Sequence, residues 1–87
     1  MAGVRVLLFA RAREAAGCNS DTFDAPTLGA LLAAARERYG PTFADVLAAS
    51  RVWVNGDEPP QGDATVLADA DEVAVLPPVS GGATALR

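Results

Sequence analysis

The chain has 87 residues, 51% of them apolar and 21% charged, which fits one small globular domain rather than a disordered tail. Its net charge is −4, its seven basic residues are all arginine and it has no histidine, so a clustered basic face for nucleic acid is not expected. A basic protein partner suits it better, and a chain without lysine or histidine has little from which to build a catalytic centre. No apolar run approaches the ~20 residues of a membrane span. Cys18, the single cysteine, has no internal partner. With no signal-peptide layout at the N-terminus, these features point to a reducing cytoplasm.

Val4 to Phe9 is β-branched and apolar and predicts a first strand. Ala10 to Asn19 is a polar connection with at most a turn of helix, closing at Gly17, and Ser20 to Asp24 is a weak second strand in a hairpin with the first. Thr27 is a natural N-cap. Leu28, Leu31, Leu32, Ala35 and Tyr39 then form one apolar stripe at helical period. Arg36 and Arg38 fall in the last turn, Gly40 supplies the stop and Pro41 forbids continuation. Thr42 with Asp45 three residues on resembles a capping arrangement for a short second helix carrying Phe43, Val46 and Leu47.

Arg51 to Val54 predicts a third strand, stopped by the turn signal Asn55-Gly56. Pro59, Pro60 and Gly62 make a loop, Thr65 to Leu67 a short edge strand, and Asp69 to Asp71 a turn into the last strand, Glu72 to Leu76. The order implies an α+β domain of β-grasp, or ubiquitin-like, form. We expect a mixed sheet of four to five strands, its first and last strands parallel neighbours in the middle, with one main helix on one face.

Strand parity divides the sheet. Val4, Val6, Leu8, Val52, Val54, Val73 and Val75 should meet the helix stripe. Arg5, Leu7, Phe9, Arg51, Trp53, Ala74 and Leu76 should lie on the other face. One helix cannot cover both, so Leu7, Phe9, Trp53 and Leu76 are expected to form an exposed apolar patch that binds a partner. Trp53 would be its anchor, and Arg5 and Arg51 part of its rim.

Beyond Leu76 the chain reads Pro77-Pro78-Val79-Ser80-Gly81-Gly82, then Ala83-Thr84-Ala85-Leu86-Arg87. Prolines hold a chain extended and glycines let it thread a narrow channel. Together with Val6 to Glu14 and Val54-Asn55-Gly56, the run from Asp71 to Gly82 resembles the MoaD/ThiS sulfur-carrier family, in particular its molybdopterin synthase small subunits. The resemblance spans Val4 to Gly82.

It implies that an E1-like adenylyltransferase activates the carboxylate of Gly82 with ATP. Sulfur then enters as a thiocarboxylate, with Gly81 giving clearance, and the chain itself binds no cofactor and is a carrier rather than an enzyme. The arm would enter the large subunit of molybdopterin synthase and give sulfur to cyclic pyranopterin monophosphate, with Phe9 and Leu76 among the partner-facing positions. Members of the family end at the second glycine. Residues 1–82 are therefore read as the carrier domain and 83–87 as an extension that a protease removes. The alternatives are a carrier for cysteine, thiamine or secondary-metabolite synthesis, or an uncleaved ubiquitin-like modifier or binding module. Ala70 stands where relatives commonly have glycine, a strained position if the turn needs positive φ. Cys18 is read as an incidental thiol.

Overall fold

The structure, a computed structural model, describes residues 3–78. Its elements are β1 (Gly3–Leu8), α1 (Ala10–Ala16), β2 (Ser20–Asp24), α2 (Leu28–Tyr39), α3 (Pro41–Ala48), β3 (Arg51–Val54), a 3-10 turn (Gly62–Ala64) and β4 (Glu72–Leu76). The strands form one sheet in the order β2-β1-β4-β3. β1 and β4 are its parallel central pair, and β2 and β3 flank them antiparallel. This is the expected β-grasp, with four strands.

Parity places the core where the alternation of side chains requires. Val4, Val6 and Leu8 of β1 and Val73 and Val75 of β4 are buried in one cluster with Leu28, Leu31, Leu32 and Ala35 of α2. α1 adds Ala12 and α3 adds Phe43 and Leu47, while Val52 and Val54 pack at the margin. All three helices thus share one face of the sheet. Each fully buried Leu, Val or Phe contributes about 1.5–3 kcal/mol.

The main helix begins as its residues predict: Thr27 Oγ1 accepts the N–H of Ala30 at 3.2 Å. It ends at Gly40, whose φ of 94° favours glycine and whose N–H donates to the Arg36 carbonyl at 2.9 Å. Pro41 is then the first residue of α3, a position that needs no N–H. This overturns the expected Thr42–Asp45 cap. With Pro41 opening the helix, Thr42 is already inside it, and Gly40 caps it without a side-chain bond.

Two other expectations are corrected. α1 is a seven-residue helix rather than a single turn, stopped by Gly17 at φ 81°. Residues 65–67 are not a strand of the sheet. Val66 makes an isolated bridge to Thr27, the Leu28 N–H donates to the Thr65 carbonyl and the Leu67 N–H to the Pro26 carbonyl, both at 2.9 Å. The segment crosses the start of α2, burying Thr65 and Leu67 and exposing Val66, and that alternation of burial is what imitated a strand.

The turn into β4 holds Ala70 at φ 73°, so the strained alternative is the one adopted. Its surroundings fix it there. The Ala70 N–H donates to the Gly3 carbonyl at 3.0 Å, the Gly3 N–H to Asp69 Oδ1 at 2.9 Å, and the Ala68 N–H to Asp71 Oδ2 at 2.7 Å. The Ala68 bond and the Asn55 amide, 3.1 Å from Asp71 Oδ1, hold the Asp71 carboxyl below its ordinary pKa.

Candidate functional site

The face of the sheet opposite the helices carries the residues assigned to docking. Register sets Ser20, Leu7, Ala74 and Trp53 in one row across all four strands. The neighbouring positions pair Arg51 with Leu76 on one side and Arg5 with Glu72 on the other. Leu7, Trp53, Ala74 and Leu76 lie outside the core cluster and the hydrophobic groups packed on it, as parity requires.

They are less exposed than expected. Leu7, Trp53 and Leu76 are half-buried, and Phe9 alone of the four is exposed, at 43%. A twisted four-stranded sheet brings side chains of one face within reach of one another, so that neighbours shade each other. In the row, small Ala74 stands between Leu7 and Trp53.

Phe9 stands just past β1 as the N-cap of α1, and its N–H still reaches the Val75 carbonyl at 3.4 Å. Ala10 then takes φ 50° to turn the chain into the helix. α1 thereby brings Arg13 to a hollow shared with Arg5, Leu7, Phe9 and Ser20. Arg13 was not anticipated at this face, because a segment read as a loose connection fixes no side-chain direction. The helix-forming run Ala10-Arg11-Ala12-Arg13-Glu14 was the available signal. Arg5 and Arg51 are exposed on the rim, Arg51 loosely paired with Glu58 at 3.8 Å.

Past Leu76 the arm starts with a residue lodged in the body. Pro77 is buried and Pro78 exposed, and the two line a groove between α1 and α3 with Arg11, Asp45, Val46 and Ala49. Val79, Ser80, Gly81, Gly82 and the extension 83–87 lie outside the described residues.

Away from this face, Cys18, Tyr39, Asp21 and Arg38 form a polar cluster where β2 meets the end of α2. The Tyr39 hydroxyl donates to Asp21 Oδ2 at 2.5 Å, Arg38 Nη1 reaches the same oxygen at 3.0 Å, and the Cys18 thiol lies 3.7 Å from the Tyr39 oxygen. The Tyr39 hydrogen bond, the Thr22 N–H and Arg38 hold the Asp21 carboxyl below its ordinary pKa. Burial, followed by the bond to the Asp21 carboxylate, pushes the Tyr39 phenol well above its own. Among the described residues no three metal-ligating side chains converge, and no helix is long and apolar enough to cross a membrane.

A family model described as the ThiS family matches residues 6–82. The chain belongs to the ThiS family. The match opens in β1 and its last residue is Gly82. Two relatives are named molybdopterin synthase sulfur carrier subunit. That of Chlamydomonas reinhardtii is 37% identical over 82 residues, covering 91% of this chain and 98% of that protein. That of Escherichia coli strain K12 is 36% identical over 87 residues, covering 91% and 99%. Among solved structures, small archaeal modifier protein 1 from Methanosarcina acetivorans superposes with a TM-score of 0.83 at 32% identity, covering 94% of this chain and 98% of that one. The ThiS-family resemblance and the ubiquitin-like β-grasp read from the sequence both hold.

Proposed function

We propose that this chain is a sulfur carrier whose working atom is the carbonyl carbon of Gly82, and that it serves as the small subunit of a molybdopterin synthase. The observation that carries the reading is the course of β4. This central strand ends by placing Leu76 on the open face and Pro77 in the body, so a partner that grips the face meets the arm in a set direction. The two relatives named molybdopterin synthase sulfur carrier subunit, matched over nearly their whole lengths, support it.

The chemistry needs little from the carrier itself. A carboxylate is a poor electrophile. An E1-like adenylyltransferase would join a Gly82 carboxylate oxygen to the α-phosphorus of ATP as pyrophosphate leaves. A sulfide equivalent would then add to the carbonyl carbon and AMP depart, leaving a thiocarboxylate. Delivered by the arm into a large subunit, that sulfur is a softer and better nucleophile than the oxygen it replaced, and the carrier's part is orientation. Gly81 and Gly82 keep the approach free of side chains.

In this sequence Gly82 is bonded to Ala83, and a peptide carbonyl cannot be adenylated as a free acid. A protease therefore has to cut after Gly82 first. To test this, chains ending at Gly82 and at Arg87 are each incubated with the E1-like enzyme, ATP and a sulfur donor, and their intact masses measured. Thiocarboxylate is expected on the shorter chain alone. Its absence there, or equal formation on both, would refute the reading. Co-purification with a molybdopterin synthase large subunit separates this acceptor from cysteine or thiamine synthesis.

The similarity to small archaeal modifier protein 1 favours a second reading, in which the processed Gly82 is joined to lysines of other proteins. Conjugates bearing the Gly82 carbonyl on a lysine amine would establish it. The chain has no lysine and could not be linked to itself in this way.

A further inference from the structure

The edge strands of an open sheet carry unpaired backbone groups on which another chain can add a strand. At the end of the β3 edge the chain covers Val54 itself. After Asn55 and Gly56, both at positive φ, it folds back so that the Val54 N–H donates to the Asp57 carbonyl at 2.8 Å and the Asp57 N–H to the Val54 carbonyl at 3.1 Å.

On the β2 edge the closure is made by side chains. The Leu8 N–H donates to the Asn19 carbonyl at 2.9 Å, one step past the Leu7–Ser20 pair. The alternation of an antiparallel ladder then puts its hydrogen-bonded pairs at Val6–Asp21 and Val4–Phe23, and turns the N–H and C=O of Thr22 away from β1. Thr22 is the middle residue of the strand. Its N–H donates to Asp21 Oδ1 at 2.8 Å and its carbonyl accepts a long bond, 3.4 Å, from Arg38 Nη1. The same guanidinium holds Asp21 Oδ2 and lies 4.0 Å from the centre of the Phe23 ring. The Tyr39 hydroxyl donates to that same Oδ2. Both outward groups at the centre of the edge are thus occupied, the N–H by the neighbouring Asp21 and the carbonyl by Arg38 reaching over from the last turn of α2.

We propose that Asp21 and Arg38 close the β2 edge and that the occupant they exclude is a second copy of this chain. β2 is self-complementary. An antiparallel two-fold pairing centred on Thr22 lays Thr22 against Thr22, each outward N–H opposite the other copy's carbonyl, with no mismatch in strand length. That pairing needs the two groups that Asp21 and Arg38 now hold.

The test uses the full chain with both side chains removed, Asp21→Ala/Arg38→Ala, a change that takes one charge of each sign and leaves the net charge at −4. Sedimentation velocity over a concentration series is expected to show a monomer for the parent and a dimer for the variant, tightened at least about tenfold by release of the two groups. Thr22 amide exchange should slow as the variant's concentration rises. Adding Thr22→Pro, which removes the outward N–H without touching the ladder to β1, should restore the monomer. Arg38→Ala alone keeps the Tyr39–Asp21 bond and should dimerise more weakly, and it carries the test if the double variant loses its circular-dichroism signature. Three outcomes overturn the proposal: a parent that dimerises through β2, a folded variant that stays monomeric throughout, or a dimer that survives Thr22→Pro.

Discussion

Trp53 stands opposite Ala74 on the open face, and the small alanine leaves one side of the indole without a large neighbour across the ladder. Trp53 is outside the core, whereas Phe43 on α3 is fully buried within it. Trp53→Ala should therefore lower stability by no more than about 1 kcal/mol, against about 3–5 kcal/mol for Phe43→Ala. For binding the order should reverse. On the proposed function, with Trp53 as the anchor, its loss is expected to weaken capture by an E1-like activating enzyme by about 2 kcal/mol, read by titration calorimetry. As the chain has one tryptophan, parent fluorescence should change on the same titration. Unfolding of Trp53→Ala would mean the two faces had been exchanged.

Tyr39 is the single tyrosine, so absorbance of the tyrosinate reports this residue alone. Burial and the Asp21 carboxylate raise its folded pKa above the ordinary 10.0. Its contribution to stability is thus complete below about pH 10 and is lost as pH rises beyond it. Titration of the parent should begin above that value and follow the loss of fold. In Asp21→Ala it should move down toward the ordinary range.

The same bond acts on the acid side with opposite sign. Asp21 has a folded pKa below its unfolded one, so its stabilisation is present above the unfolded value near 3.8 and is lost as pH falls through the folded value. Denaturant melts of Asp21→Ala should accordingly fall less steeply than the parent's below about pH 4, from a lower plateau at neutral pH.

Ala70 holds φ 73°, which an L-residue with a Cβ adopts at a cost of about 1–2 kcal/mol. Ala70→Gly removes that strain but gives the unfolded chain more freedom, worth about 0.4–1 kcal/mol. The net expectation is a gain of roughly 0.5–1 kcal/mol in a chemical melt. Gly17→Ala, placing a Cβ at φ 81°, should lose stability.

What the sequence disclosed followed from period and cap chemistry. The valines of β1 and β4 separated the two faces because side chains alternate strictly along a strand, and the Leu28–Tyr39 stripe with Thr27 and Gly40 bounded α2 almost to the residue. α1 was under-read because Ala12 is its one buried residue, so no apolar stripe marks it and helix propensity alone supports it. The Thr42 cap failed because Pro41 can open a helix as readily as it can end one. The Asp21–Arg38 latch was out of reach of local patterning, since it joins residues 17 apart through the packing of α2 beside β2.

Pro77 is buried and Pro78 exposed, so the reach of the arm is counted here from Pro78. Four peptide steps separate Pro78 from Gly82, and a chain fully drawn out covers about 13–14 Å in that distance. The domain is then a gauge as well as a carrier. On the proposed function it can serve only a partner whose reacting centre lies within about 14 Å of Pro78. Deleting Ser80 or inserting one glycine before Gly81 would change that length by about 3.5 Å. The expected result is intact docking with lost sulfur transfer, while equal transfer from all three lengths would show that the partner takes up the slack.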